Sequence, residues 1–95
     1  MIIYKITYDQ DGNEAIREEL NINLIRQEPI TKMMTDRKGS VVQTSARLFI
    51  KPDFIFTYND RVIYKIIYQG IEKDLISIQD NYSLSNVLDH YEVYI

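Results

Sequence analysis

From Val41 to Ile50 the chain alternates without a break. Val42, Thr44, Ala46, Leu48 and Ile50 fall on one side, and Val41, Gln43, Ser45, Arg47 and Phe49 on the other. A period of two belongs to a strand with one buried face, and a helix cannot satisfy it. The same pattern returns elsewhere. Val62, Tyr64, Ile66 and Tyr68 oppose Arg61, Ile63, Lys65 and Ile67, while Ile2, Tyr4, Ile6 and Tyr8 oppose Ile3, Lys5 and Thr7. Tyr91, Val93 and Ile95 form a last strand. Weaker alternation runs through Ile22 to Gln27, Phe54 to Tyr58 and Asp74 to Gln79. Turn formers separate these runs at Asp9 to Asn13, Pro52-Asp53, Asn59-Asp60 and Gln69-Gly70. Ile, Tyr, Val, Thr and Phe supply 37 of the 95 residues, the branched and aromatic side chains that suit a pleated surface.

Two segments break the rule. Glu14 to Leu20 places Ile16 and Leu20 at i and i+4, and Ser83 to Asp89 opens with a capping serine, so each predicts a short helical turn. The expectation is an all-β fold. It is a small β-barrel of five to seven short antiparallel strands with one or two short helical turns, closure removing the edges a flat sheet would expose. A compact sandwich is the runner-up. A chain of 11.3 kDa, with roughly 5,700 Å² of folded surface, holds one core, so residues 1–95 are read as a single domain.

Catalysis has little to work with. Cysteine is absent, which excludes disulfides, thiolate zinc sites and a cysteine nucleophile. His90 is the sole histidine, so two-histidine metal motifs are excluded and any Ser-His-Asp arrangement would have to draw on His90 with Ser83, Ser85 or Asp89. Asp9/Asp11 and Glu18/Glu19 sit in polar segments, and the three glycines stand alone at 12, 39 and 70, too scattered for a phosphate loop. The chain is therefore expected not to be an enzyme and to need no cofactor or metal. No apolar run is long enough to span a bilayer, and Met1-Ile2-Ile3-Tyr4-Lys5 lacks the form of a secretory signal, so no membrane is expected as a partner.

Charge is unevenly spread. Residues 26–47 carry Arg26, Lys32, Arg37, Lys38 and Arg47 against Glu28 and Asp36, between two acidic flanks, and the whole chain has a net charge of −3. Within that basic centre Thr31, Lys32, Met33, Met34, Thr35, Asp36, Arg37, Lys38, Gly39 and Ser40 show no apolar period, which predicts a loop or extended hairpin tip. Adjacent methionines suit either gap filling beneath a loop or an adaptable contact surface. Tyr4, Tyr8, Tyr64 and Tyr68 could stack single-stranded nucleic acid, but Lys5 and Lys65 are the only basic residues on those strands. Core or interface tyrosines are the better reading.

Three pieces of the second half carry a likeness. They are Val42-Gln43-Thr44-Ser45-Ala46-Arg47-Leu48-Phe49-Ile50, Asn59-Asp60-Arg61-Val62-Ile63-Tyr64, and Asp89-His90-Tyr91-Glu92-Val93-Tyr94-Ile95. In order and rough spacing, Gly39 to Ile95 resembles the head-to-tail connector proteins of long-tailed phages, the minor capsid or head-closure (stopper) family. Asn59 departs from the glycine more frequent in that turn, a replacement that an αL-tolerant residue permits. Residues 1–30 match no motif of the family.

The resemblance implies a structural virion protein, assembled in the host cytoplasm. It would form a ring of like subunits, twelvefold by inheritance from the portal, below the portal or adaptor proteins. Such a ring closes the DNA-filled head and offers the tail proteins a platform, with viral DNA passing through without sequence specificity. It further implies that the loop at 31–41 is the channel gate. Tyr91, Val93, Tyr94 and Ile95 are a candidate subunit or tail interface, through edge addition to the last strand, with simple barrel closure as the competing reading. An adaptor or tail-completion role in the same connector is the near alternative. A small single-stranded nucleic-acid-binding barrel is the distant one.

Overall fold

Alternation becomes ladder almost everywhere it was strong. The computed structural model describes residues 1–36, 38–57 and 59–95. Its strands are β1 (Ile2–Tyr8), β2 (Glu14–Asn21), β3 (Leu24–Pro29), β4 (Met33–Thr35), β5 (Val41–Gln43), β6 (Ala46–Ile50), β7 (Val62–Tyr68), β8 (Ile71–Asp74), β9 (Ser77–Tyr82) and β10 (Leu88–Tyr94). The fold is all-β, and every pairing among the described residues is antiparallel. One sheet has the order β2-β1-β7-β8, a second β3-β6-β10-β9, and β4-β5 form a separate ribbon.

The two sheets share their margins. β2 continues into β3 through Ile22-Asn23, and β8 into β9 through Leu75-Ile76. At the first bend the Ile22 N–H donates to the Met1 carbonyl of the first sheet (2.9 Å), while the Asn23 carbonyl accepts from Lys51 N–H beside the end of β6 (2.9 Å). At the second, Leu75 N–H donates to Tyr64 in the first sheet (3.2 Å) and Ile76 N–H to Tyr94 in the second (2.7 Å). Consecutive residues thus serve different sheets, which is how a strand turns a corner between packed sheets. With each bent pair counted as one strand, the pairings run in a circuit: β1, β2/β3, β6, β10, β9/β8, β7 and back to β1. Barrel and sandwich, alternatives in the sequence, merge in this arrangement.

Inside lie the residues whose alternation was regular. Ala46, Leu48 and Ile50 of β6, Val62, Tyr64 and Ile66 of β7, and Tyr91 and Val93 of β10 are buried in one cluster. Phe56 lies between Tyr64 and Tyr91, with ring centroids 4.9 and 4.8 Å away and both contacts edge-on, the arrangement favoured by aromatic quadrupoles. Tyr91 O–H donates to the Phe54 carbonyl (2.8 Å) and Tyr64 Oη accepts from Thr57 N–H (2.7 Å), so the loop after β6 is tied across the core.

Three expectations change. Glu14 to Leu20 is strand, not helix. Ile16 is 54% exposed, so no apolar surface rewards a helix there, whereas pairing with β1 satisfies the backbone from Ile2↔Asn21 to Tyr8↔Glu14. Ser83 to Asp89 is a hairpin tip leading into β10, with Asn86 at φ 59° and Ser83 and Val87 bonded N–H to carbonyl (2.8 Å). Phe54 to Thr57 keeps its in–out alternation but joins no ladder, its side chains packing without a partner strand. Tyr58, counted in that run, lies outside the described residues. The surface of 6174 Å² exceeds that expected for this mass because hairpins project, giving extents of 43 × 28 × 26 Å.

Candidate functional site

The segment singled out at 31–41 folds as the β4–β5 ribbon. Its register is Met33↔Gln43, Met34↔Val42 and Thr35↔Val41. Residues opposite one another share a face, so Met34 and Val42, both half-buried, look one way. Met33, Thr35, Val41 and Gln43 look the other, all exposed. The adjacent methionines therefore divide the two roles that the sequence left open, Met34 inward and Met33 outward.

Asp36 shapes the tip. Its Oδ1 accepts from Lys38 N–H (3.0 Å) and Ser40 N–H (2.9 Å), while Asp36 N–H donates to the Ser40 carbonyl (2.8 Å) and Gly39 N–H to the Asp36 carbonyl (3.1 Å). Gly39 sits at φ +85°, a region closed to most side chains. Arg37, part of the candidate gate, lies outside the described residues. Thr31 and Lys32 form the approach to β4 and are exposed.

Thr44 fixes the ribbon to the barrel. It is 3% exposed, its hydroxyl donates to the Ile30 carbonyl (2.7 Å) and accepts from Lys32 N–H (2.9 Å), and its own N–H donates to the Lys32 carbonyl (2.9 Å). Both chain segments entering the ribbon are thereby clamped at one residue. Beyond it, among the described residues, β4 and β5 pair only with each other. Between ribbon and barrel lie two clefts. One, of about 100 Å³, is bordered by Asp36, Lys38, Ile63 and Leu75; the other, of about 200 Å³, by Asp36, Val42, Lys73 and Ile95.

The outer face of the second sheet flanks the ribbon's base. Arg47 and Phe49 of β6 pair with Tyr94 and Glu92 of β10, and with Glu28 and Arg26 of β3. Glu28 bonds Arg26 (3.1 Å) and Arg47 (2.5 Å). The Arg47 bond, reinforced by Arg26, holds the Glu28 carboxyl below its usual range, and Glu28 and Tyr94 raise Arg47 in turn. The two guanidiniums lie 4.3 and 5.2 Å from the Phe49 ring centroid, and Lys32 Nζ 5.5 Å from that of Tyr94. These cations explain why two outward-facing aromatics are only 8% and 4% exposed. His90 packs on the other side of Phe49, centroids 5.7 Å apart, with Nδ1 2.7 Å from Asp89. Ser83 Oγ accepts from Ser85 N–H (3.3 Å) within the hairpin tip.

The candidate interface at the last strand is corrected. Tyr91, Val93, Tyr94 and Ile95 are 3%, 0%, 4% and 2% exposed, and β10 lies between β6 and β9 with both edges paired. No edge of β10 is left for a neighbour; the strand lies inside the second sheet. Nor do the four tyrosines make one platform. The pairs Tyr4↔Lys65 and Lys5↔Tyr64 put Tyr4 and Tyr64 on opposite faces, and Tyr64 and Tyr68 are core residues.

Sequence reasoning missed Thr44, read only as one position in an alternating strand, and the apolar tip at Leu84 and Val87, in a segment whose capping serine suggested a helical turn. Comparison with family models, with curated proteins and with solved structures finds no match to this chain.

Proposed function

We propose that this chain is a structural component of a phage head–tail connector, a ring subunit below the portal or adaptor that closes the filled head and receives the tail. The observation that carries this reading is the ribbon. The β-sheet body holds, through one buried threonine, a two-stranded arm that among the described residues pairs with no other strand, in the most basic segment of the chain. A ring of such subunits brings one arm per copy to a common axis. There Lys38 and Arg37 meet phosphates, and short arms together obstruct a channel that none would block alone. The likeness of residues 39–95 to head-closure proteins supports the same role, and the split of the tyrosines between two faces disfavours a base-stacking barrel.

The test is deletion of the gene from the virus that encodes it, with the lysate imaged by electron microscopy. Tail-less heads, many emptied of DNA, beside separate finished tails are the expected result; normal virions would overturn the reading. Replacing Arg37 and Lys38 with glutamine should lower DNA retention more than it lowers ring assembly. Equal loss of both would remove the gate from the proposal.

A further inference from the structure

Two apolar patches lie at opposite ends of the second sheet. At one end the β9–β10 tip exposes Leu84 (107%), Val87 (62%) and Tyr82 (61%), and Ile55 (85%) emerges from the loop leaving the same end of β6. At the other end, Met33 (62%) and Val41 (66%) are diagonal neighbours on the ribbon's outer face. Singly exposed apolar residues are ordinary; clusters on projecting elements mark contact surfaces.

The patches also differ in charge. From Ser77 to Tyr94, the β9–β10 hairpin, there is no lysine or arginine, against Asp80, Asp89 and Glu92. The segment from Thr31 to Ser45 carries Lys32, Arg37 and Lys38 against Asp36. An apolar tip in an acidic setting and an apolar arm in a basic one fit each other, and neither fits itself, because like charges face each other in a symmetric pairing.

We infer that the β9–β10 tip of one copy docks on the outer face of the β4–β5 ribbon of the next. Lying at opposite ends of one sheet, the two surfaces of a single chain face apart, so the contact is between copies and runs head to tail. Such an interface closes into a ring or extends as a filament. The inference rests on the ring reading above for its second copy, and adds to it which surfaces meet: the arm's inner face, with Met34 and Val42, stays with its own barrel while its outer face binds the neighbour.

The absence of cysteine makes the test clean. Leu84→Cys and Val41→Cys are introduced into the full chain singly and together, and treated with a short bismaleimide at concentrations spanning monomer to oligomer. The double variant should give a ladder of covalent oligomers, and an equal mixture of the two single variants a covalent dimer. Neither single variant should cross-link alone. Cross-linking by Leu84→Cys alone would show a symmetric tip-to-tip contact and overturn the inference; so would a double variant that stays uncross-linked.

Leu84→Asp and Val41→Asp provide the complement by sedimentation. Each alone should be monomeric, yet mixed they should form a one-to-one dimer, since each keeps one intact surface. Two variants that both assemble like the unchanged chain overturn the tip-to-ribbon contact while leaving the ring. An unchanged chain that stays monomeric at high concentration and low salt overturns it as well, and the deletion phenotype then still decides the connector reading.

Discussion

Leu48 and Met34 stand on neighbouring stretches of the same chain, separated by one anchored threonine, and answer to different physics. Leu48 is fully buried in β6, paired to β3 on one side and β10 on the other, with its side chain in the central cluster. Met34 is half-buried in a ribbon that has one partner strand, opposite Val42, and belongs to no core cluster. Two isolated strands are marginal in water, so the ribbon's order is borrowed from Thr44 and from the barrel beneath it. The connector role proposed above would use both kinds of region: a body that does not yield under load and an arm whose position can change at small cost.

The widest separation should come from truncating the two side chains. Leu48→Ala leaves a cavity in a closed core and should cost about 2–5 kcal/mol in denaturant unfolding. Met34→Ala shortens a half-buried side chain outside the core cluster, where solvent can refill the space, and should cost less than about 1 kcal/mol. Equal losses would show that ribbon and barrel form one cooperative unit and break the comparison.

A middle effect belongs to the joint. Thr44→Val keeps the shape but leaves the Lys32 N–H and the Ile30 carbonyl without a side-chain partner. An unpaired group costs about 1–3 kcal/mol when fully buried, and these two are part-buried, so the loss should fall at the low end of that range. The sharper readout is hydrogen exchange. Amides of β4 and β5 should exchange faster while those of β6 and β10 keep their order of protection; uniform acceleration would mean that Thr44 belongs to the body and not to a hinge.

How much of this was readable follows the same division. Where one face is buried, pattern and structure coincide: Ala46, Leu48 and Ile50, or Val62, Tyr64, Ile66 and Tyr68, alternate because every second residue meets the core. Ile6 already departs from this, being fully buried on the face opposite Ile3. Outside the core the pattern loses its cause. β2 carries six consecutive exposed residues, so its sequence recorded charge and a chance helical spacing, and its strand state comes from β1 and the Asp9–Asn13 turn. The ribbon was legible as an aperiodic projection, but its faces depend on register, and register depends on the Asp36–Ser40 tip. Thr44 was invisible because a threonine in an alternating strand gives no sign that its hydroxyl clamps two other segments.

A smaller change probes the tip. An added Cβ at Gly39 would meet no atom within 4 Å, so Gly39→Ala creates no clash and tests the backbone alone. At φ +85° the alanine should cost about 1 kcal/mol of local stability. Because the ribbon has little coupling to the barrel, that cost should appear as faster exchange at Thr35 and Val41 with an almost unchanged global unfolding midpoint. A drop in the midpoint as large as that of Thr44→Val would place the tip, and not the joint, in control of the arm.

The least effect at neutral pH, and the most diagnostic in acid, belongs to Glu28. Its carboxyl is held below the usual range first by Arg47 and then by Arg26. A carboxyl depressed in the folded state contributes stability that is present above its unfolded pKa and is lost as pH falls through the lower folded value. The unchanged chain should therefore weaken as pH drops from the ordinary carboxylate range, and Glu28→Gln should show a shallower decline over that window. The pair is partly exposed, so salt should narrow the difference between the two proteins. Arg47 is shared between Glu28 and the ring of Phe49 and lies opposite Tyr94 in the ladder, so the substitution frees a guanidinium that still has two aromatic neighbours. The barrel should keep its fold while the base of the arm, where Lys32 meets Tyr94, becomes more basic. If acid sensitivity is the same with and without Glu28, the carboxylates that govern it lie elsewhere, and the outer face of the second sheet does not tie arm to body.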